Sequence, residues 1–146
     1  MSIMKRLPNI VAILLAASLA HAQTLTVNVT TEGPREGVID ILVFTSKEGF
    51  PNQPEKAFRR AILPVTAGGP IVCAITNLPY GKYSLSVLHD VNNNSKPDKL
   101  LGFGPPKEPV GFSNIARKLL MPPTYESTTF TFSAKSNVTS VALWYL

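Results

Sequence analysis

The sequence predicts an all-β fold, and three observations carry that prediction. Short runs with apolar residues at alternate positions recur from residue 24 to the C-terminus. Gly, Pro and Asn punctuate them, and only one stretch could form more than a helical turn. Seven such runs in a chain of this size suit a seven-stranded Greek-key β-sandwich, immunoglobulin-like or transthyretin-like, with one long polar loop and a single domain over residues 23–146.

Residues 1–22 stand apart from that domain. Lys5 and Arg6 precede an apolar run from Ile10 to Ala20, and Ala20-His21-Ala22 forms a small-x-small cleavage site. The run falls short of the roughly 20 residues needed to span a bilayer, so it reads as a signal peptide. The expected product begins at Gln23, is periplasmic or secreted, and has no stable membrane insertion after signal cleavage.

The strand candidates follow in order. "TLTVNVT" at 24–30 and "VIDILVFT" at 38–45 alternate, "AILPV" at 61–65 is short, and "IVCAIT" at 71–76 is apolar on both faces. "YSLSVLHD" at 83–90 follows "LPYGKY", in which Tyr83 is placed like the tyrosine of a Greek-key corner, whose hydroxyl ties back to nearby backbone. "TTFTFSA" at 128–134 and "TSVALWYL" at 139–146 complete the seven. "PEKAFRRA" at 54–61 is the one helical candidate, with Pro at a permitted first-turn position. Cys73, the single cysteine, sits inside an apolar strand and is expected to pack as a small core residue.

The formal net charge is +5, two units of it from Lys5 and Arg6. Beyond residue 22 the basic residues are scattered, with adjacent pairs only at Arg59-Arg60 and Arg117-Lys118, which excludes a nucleic-acid stripe. Zinc chemistry lacks paired His or Cys. His89 is the one imidazole of the expected product, and its strand neighbour Asp90 points to the opposite face, so the two cannot pair directly. The expected role of His89 is to close the core edge and bond a loop carbonyl.

Residues 91–123 break the strand rhythm with Asn, Pro, Gly and Lys, and a structureless loop of such length needs an organiser. Its entrance, "HDVNNNSKPDK", supplies one candidate. With Asp90 as position 1, Asn92 and Asn94 fall at 3 and 5, the Lys96 carbonyl at 7 and Asp98 at 9, the opening of a calcium-loop ligand order. Ser95 stands where Gly is wanted and Leu101 where a bidentate Glu is wanted, leaving Glu108 to fold back as the missing carboxylate. A metal-free turn of Asn and Asp is the competing reading.

These residues also carry a resemblance. "LPYGKYSLSVLHDVNNNSKPD" followed by "GFGPPKEPVGFSN" resembles a bacterial exported-protein family of unknown function, domain of unknown function 2141. Leu78, Gly81, Tyr83, His89, Asp90, Asn92, Asn94, Lys96, Asp98, Glu108, Gly111, Phe112, Ser113 and Asn114 fall on its motif positions. Ser95 and Pro97 depart from the pattern, which has Gly and an aliphatic residue there. The resemblance implies an exported β-sandwich with a shared loop and supplies no activity.

The expected function is therefore a non-catalytic exported domain presenting residues 90–114 as a calcium-binding, structural or ligand-binding surface for a protein or small molecule. Two alternatives differ in class. One is a small periplasmic hydrolase using His89 with loop carboxylates or Ser113. The other is an assembly or adhesion module that pairs through an edge strand such as the C-terminal one.

Overall fold

The computed structural model describes residues 23–66, 68–98, 107–116 and 120–146; the expected signal peptide, Leu101 and the Arg117-Lys118 pair lie outside them. Eight strands form two sheets among the described residues: β1 (Thr24–Thr31), β2 (Val38–Phe44), β3 (Arg59–Pro64), β4 (Ile71–Thr76), β5 (Gly81–Asp90), β6 (Val110–Phe112), β7 (Phe130–Phe132) and β8 (Val138–Leu143). One sheet has the order β4-β1-β8 and the other β3-β2-β5-β6, with β7 attached to β5. No helix among the described residues is long and apolar enough to cross a membrane.

Alternation explains how the sheets meet. Leu25, Val27 and Val29 of β1 with Ile71, Cys73 and Ile75 of β4 face Ile39, Ile41 and Val43 of β2 and Tyr83, Leu85 and Val87 of β5 in one buried cluster. Side chains alternate across a strand, so Asp40, Leu42 and Phe44 of β2 lie on the far face, yet they are buried too. That outer face is covered in part by the 50–54 segment, where Phe50 packs edge-on against Phe44 at a ring distance of 5.4 Å and touches Phe112 and Tyr125 at 6.1 and 6.0 Å.

The eighth strand is the main departure from expectation. Val110-Gly111-Phe112 lies inside the predicted long loop, pairs with Leu88-Val87-Ser86, and is too short for a period-2 pattern to be visible. It also bonds Trp144 through reciprocal Val110 and Trp144 amides at 2.9 Å each, joining the end of β8 to the other sheet. Gly111 permits the approach, since a Cβ there would sit 2.2 Å from the Ala142 carbonyl oxygen. The helical candidate shrinks to a 3-10 turn at Pro54–Lys56, because residues 59–64 pair with β2 instead. A short α1 (Tyr125–Thr128), capped by the Thr124 hydroxyl accepting from the Ser127 amide, went unpredicted. The Tyr83 hydroxyl donates to the Pro79 carbonyl at 2.6 Å, as the corner reading requires.

Candidate functional site

The last residues of β5 deliver two buried polar side chains to opposite faces. His89 is fully buried. Its Nε2 lies 2.7 Å from the Glu36 carbonyl, which can only accept, so Nε2 carries a proton, and Nδ1 shares a hydrogen bond with the Thr31 hydroxyl at 2.9 Å. The Thr31 oxygen in turn accepts the Gly33 amide at 3.0 Å. Both ring nitrogens are thus committed to the 31–36 turn, and a Cβ on Gly33 would lie 2.3 Å from Nδ1. The imidazole locks that turn onto β5, which agrees with the expected loop-carbonyl role.

Asp90 faces the polar loop. Its Oδ1 accepts the Asn94 amide at 3.1 Å and its Oδ2 the Ser95 amide at 2.7 Å. Glu108 folds back as expected, but onto backbone: Oε1 accepts from Val91 at 2.9 Å and Oε2 from Asp98 at 3.1 Å. Lys107 then donates to the Asp98 carbonyl at 2.7 Å, closing the base of the loop. Asp90 and Glu108 are both buried, so four backbone donors find charged acceptors where water does not reach them freely. This is the organiser that the long loop needed.

Asn92, Asn94 and Asp98 come together at the exposed side. The Nδ2 groups of Asn92 and Asn94 donate to Asp98 Oδ2 and Oδ1 at 2.5 and 2.8 Å. Their own Oδ1 atoms accept the Asn94 and Lys96 amides at 3.2 and 3.0 Å, which are Asx turns. Lys96 contributes this amide to the loop. Asn93 and Ser95 take φ of 56° and 63°, so Ser95 occupies the left-handed conformation that the Gly of the family pattern would adopt without strain. Among the described residues no group of three or more His, Cys, Asp or Glu side chains is placed to hold a metal ion.

Ser113 is far from His89. It sits opposite Leu85, with its amide on the Leu85 carbonyl at 3.1 Å and its Oγ accepting the Leu85 amide at 2.8 Å. Four residues of strand, about 13 Å, separate Leu85 from His89. Ser113 Oγ donates to the Thr128 carbonyl at 2.6 Å, so it fastens α1 to β5. Ser84, on the same face, bonds the Thr128 hydroxyl.

Beside the loop, the outer face of β2, β5 and β6 holds a cleft of about 330 Å³. Leu42, Leu88, Val110 and Phe112 line it, with Met121 and Leu146 among its walls, and Ser95 and Pro97 of the loop at its rim. Among the described residues Asp40 is its one lining residue with a charged side chain, and it accepts a two-point contact from the Arg60 Nε and Nη2 at 2.9 and 2.7 Å. That contact favours the charged guanidinium and raises the Arg60 pKa, against a smaller opposing effect of burial. Sequence reasoning missed Asp40 and the Thr31 partner of His89. An Asp at an outward position of a strand was the available signal for the former; nothing local announces the latter, which lies 58 residues from the imidazole.

A family model described as an uncharacterized protein conserved in bacteria, domain of unknown function 2141, matches residues 27–140. No curated protein and no solved structure matches the chain.

Proposed function

The chain belongs to this bacterial family, and from that premise we propose a non-catalytic exported domain that presents residues 90–114 as a ligand-binding surface, with the described 90–98 segment beside an apolar cleft. The observation that carries this reading is the self-sufficiency of the loop. Asp90 and Glu108 fix it through backbone donors, and Ser95 and Pro97 hold its edge against the apolar cleft. Preformed apolar clefts with few polar groups are the usual form of a small-molecule site. A hydrolase finds little support, since His89 and Ser113 are apart and each is committed to structural bonds.

The strand order supports the transthyretin-like form of the Greek-key sandwich over the immunoglobulin-like one. In the immunoglobulin arrangement the first and second strands share a sheet; here β1 and β2 belong to different sheets. The test of function uses the single Trp144, which bridges to Val110 at the cleft. Titrating the exported protein with apolar dyes should shift its emission and raise its melting temperature, and Phe112→Asp should abolish both. Dye binding that Phe112→Asp leaves intact would overturn the cleft as the site. Export itself predicts an intact mass beginning at Gln23; a mature chain retaining Met1 would refute it.

Calcium is the second reading, favoured by the convergence of Asn92 and Asn94 on the Asp98 carboxylate. A cation there would take over from two amide N–H groups, turning both Asn side chains to offer oxygen beside the Lys96 carbonyl, while Asp90 and Glu108 keep the loop closed. Bound calcium should add about 2.7 kcal/mol of stability at a hundredfold excess over its dissociation constant. Asp98→Ala should remove that gain, and an unchanged melting temperature in millimolar calcium would leave the loop metal-free.

A further inference from the structure

We propose that the outer edge of β4, residues 71–76, is a pairing surface for a second copy of this chain, joined antiparallel about Ala74. The direction of the β1 amides determines which amides of β4 point outward. Thr26 donates to the Asn137 carbonyl beside β8, so the alternate residues Leu25, Val27 and Val29 direct their amides to β4. Their register partners Ile75, Cys73 and Ile71 bond back to β1. Val72, Ala74 and Thr76 therefore aim their N–H and C=O groups away from the sheet, and none has a hydrogen-bond partner among the described residues.

The edges of β3 and of the C-terminal end of β8 are blocked in part. The outward positions of β3 include Arg60, held by Asp40, and Pro64, which has no N–H to offer. At β8 the outward Trp144 is already bonded to β6, and Gly111 packs on the Ala142 carbonyl. β4 has none of these devices: "IVCAIT" carries no charge, no Pro and no bulge, and Val72 is 51% exposed.

A second copy fits this edge because the edge is complementary to itself. Pleating requires that inward residues meet inward residues across the junction. Placing Ala74 opposite its counterpart satisfies that rule and pairs Val72 with Thr76 of the second copy, so every outward amide of these three residues finds a partner. Cys73 then lies beside the second copy's Ile75 and extends the core across the junction. The absence of charge along the strand leaves no repulsion to oppose the two-fold arrangement.

Sedimentation analysis of the exported protein over a wide concentration range tests the proposal. The mass should rise with concentration toward twice that of the single chain. Ala74→Pro removes an outward N–H without touching the β1 ladder, and Val72→Lys places a charge on the exposed position. Each should weaken association at least tenfold while far-UV circular dichroism stays unchanged, whereas Ile62→Lys on β3 should leave association as it was. A single-chain mass at every concentration overturns the proposal, as does a dimer that survives both β4 substitutions. Should Ala74→Pro unfold the chain, Val72→Lys alone decides.

Discussion

The 90–98 loop and strand β4 are opposites in sequence and in structure, and the opposition runs against intuition. The loop is polar, irregular and rich in Asn, yet Asp90 and Glu108 satisfy its backbone from within. β4 is regular, apolar and short, yet half of its amides face outward without a partner among the described residues. Irregularity is therefore no measure of openness. A buried carboxylate can complete a loop, while a perfect strand at the margin of a sheet remains chemically unfinished.

The largest loss of stability is expected at His89. Replacing it with Ala leaves a cavity and strands the Glu36 carbonyl and the Thr31 hydroxyl, which should cost about 3–4 kcal/mol in urea unfolding. A loss below about 1 kcal/mol would mean the imidazole is not the lock described above. Asp90→Ala comes next: two loop amides lose a buried charged acceptor, an expected cost of about 2–3 kcal/mol. Hydrogen exchange at Asn94 and Ser95 should accelerate far more than exchange in β1. Uniform acceleration would show that the loop is not a separate unit.

Smaller effects are expected at Ser95 and Cys73. Ser95→Gly relieves a left-handed residue and should stabilise the protein by about 0.5–1 kcal/mol; destabilisation would indicate that the Ser95 side chain does something beyond its amide bond to Asp90. Burial raises the Cys73 thiol above its ordinary value, and burial raises the Tyr83 phenol, an effect partly opposed by Arg59. Both groups are neutral in the folded state where the unfolded chain ionises, so each contribution is intact below the ordinary value, 9.0 for the thiol and 10.0 for the phenol, and is lost as pH rises beyond it. A melting temperature that falls in that alkaline window, less so in Cys73→Ser, checks the sign. At neutral pH a thiol reagent should react with Cys73 only as fast as the chain opens.

Much of the fold was legible because burial imposes a period. The alternation of Leu25, Val27 and Val29, or of Tyr83, Leu85 and Val87, can be read without coordinates, and the corner geometry of Tyr83 followed from its place beside Pro79 and Gly81. β6 was not legible, because three residues cannot display a period and their pairing depends on Trp144, more than thirty positions away. The polar residues from Asp90 to Asp98 were recognised as one cluster, but their roles were not. The same oxygens can accept backbone amides or a cation, and only the position of Glu108 relative to Val91 and Asp98 distinguishes a loop already closed by protein. The outward amides of β4 were invisible for a related reason, since edge and centre strands share one apolar pattern until the sheet order is known.

The parallel pairing of β1 with β8 makes the first described strand wait for the last. A chain leaving the ribosome displays Thr24–Thr31 more than a hundred residues before Val138–Leu143 exists to flank it, and the Val110–Trp144 bridge is later still. Contacts of such sequence separation are slow to form because the intervening chain must first be gathered. A nascent chain truncated before residue 138 should therefore remain protease-sensitive along β1, and the fold should become resistant only when the final strand has emerged.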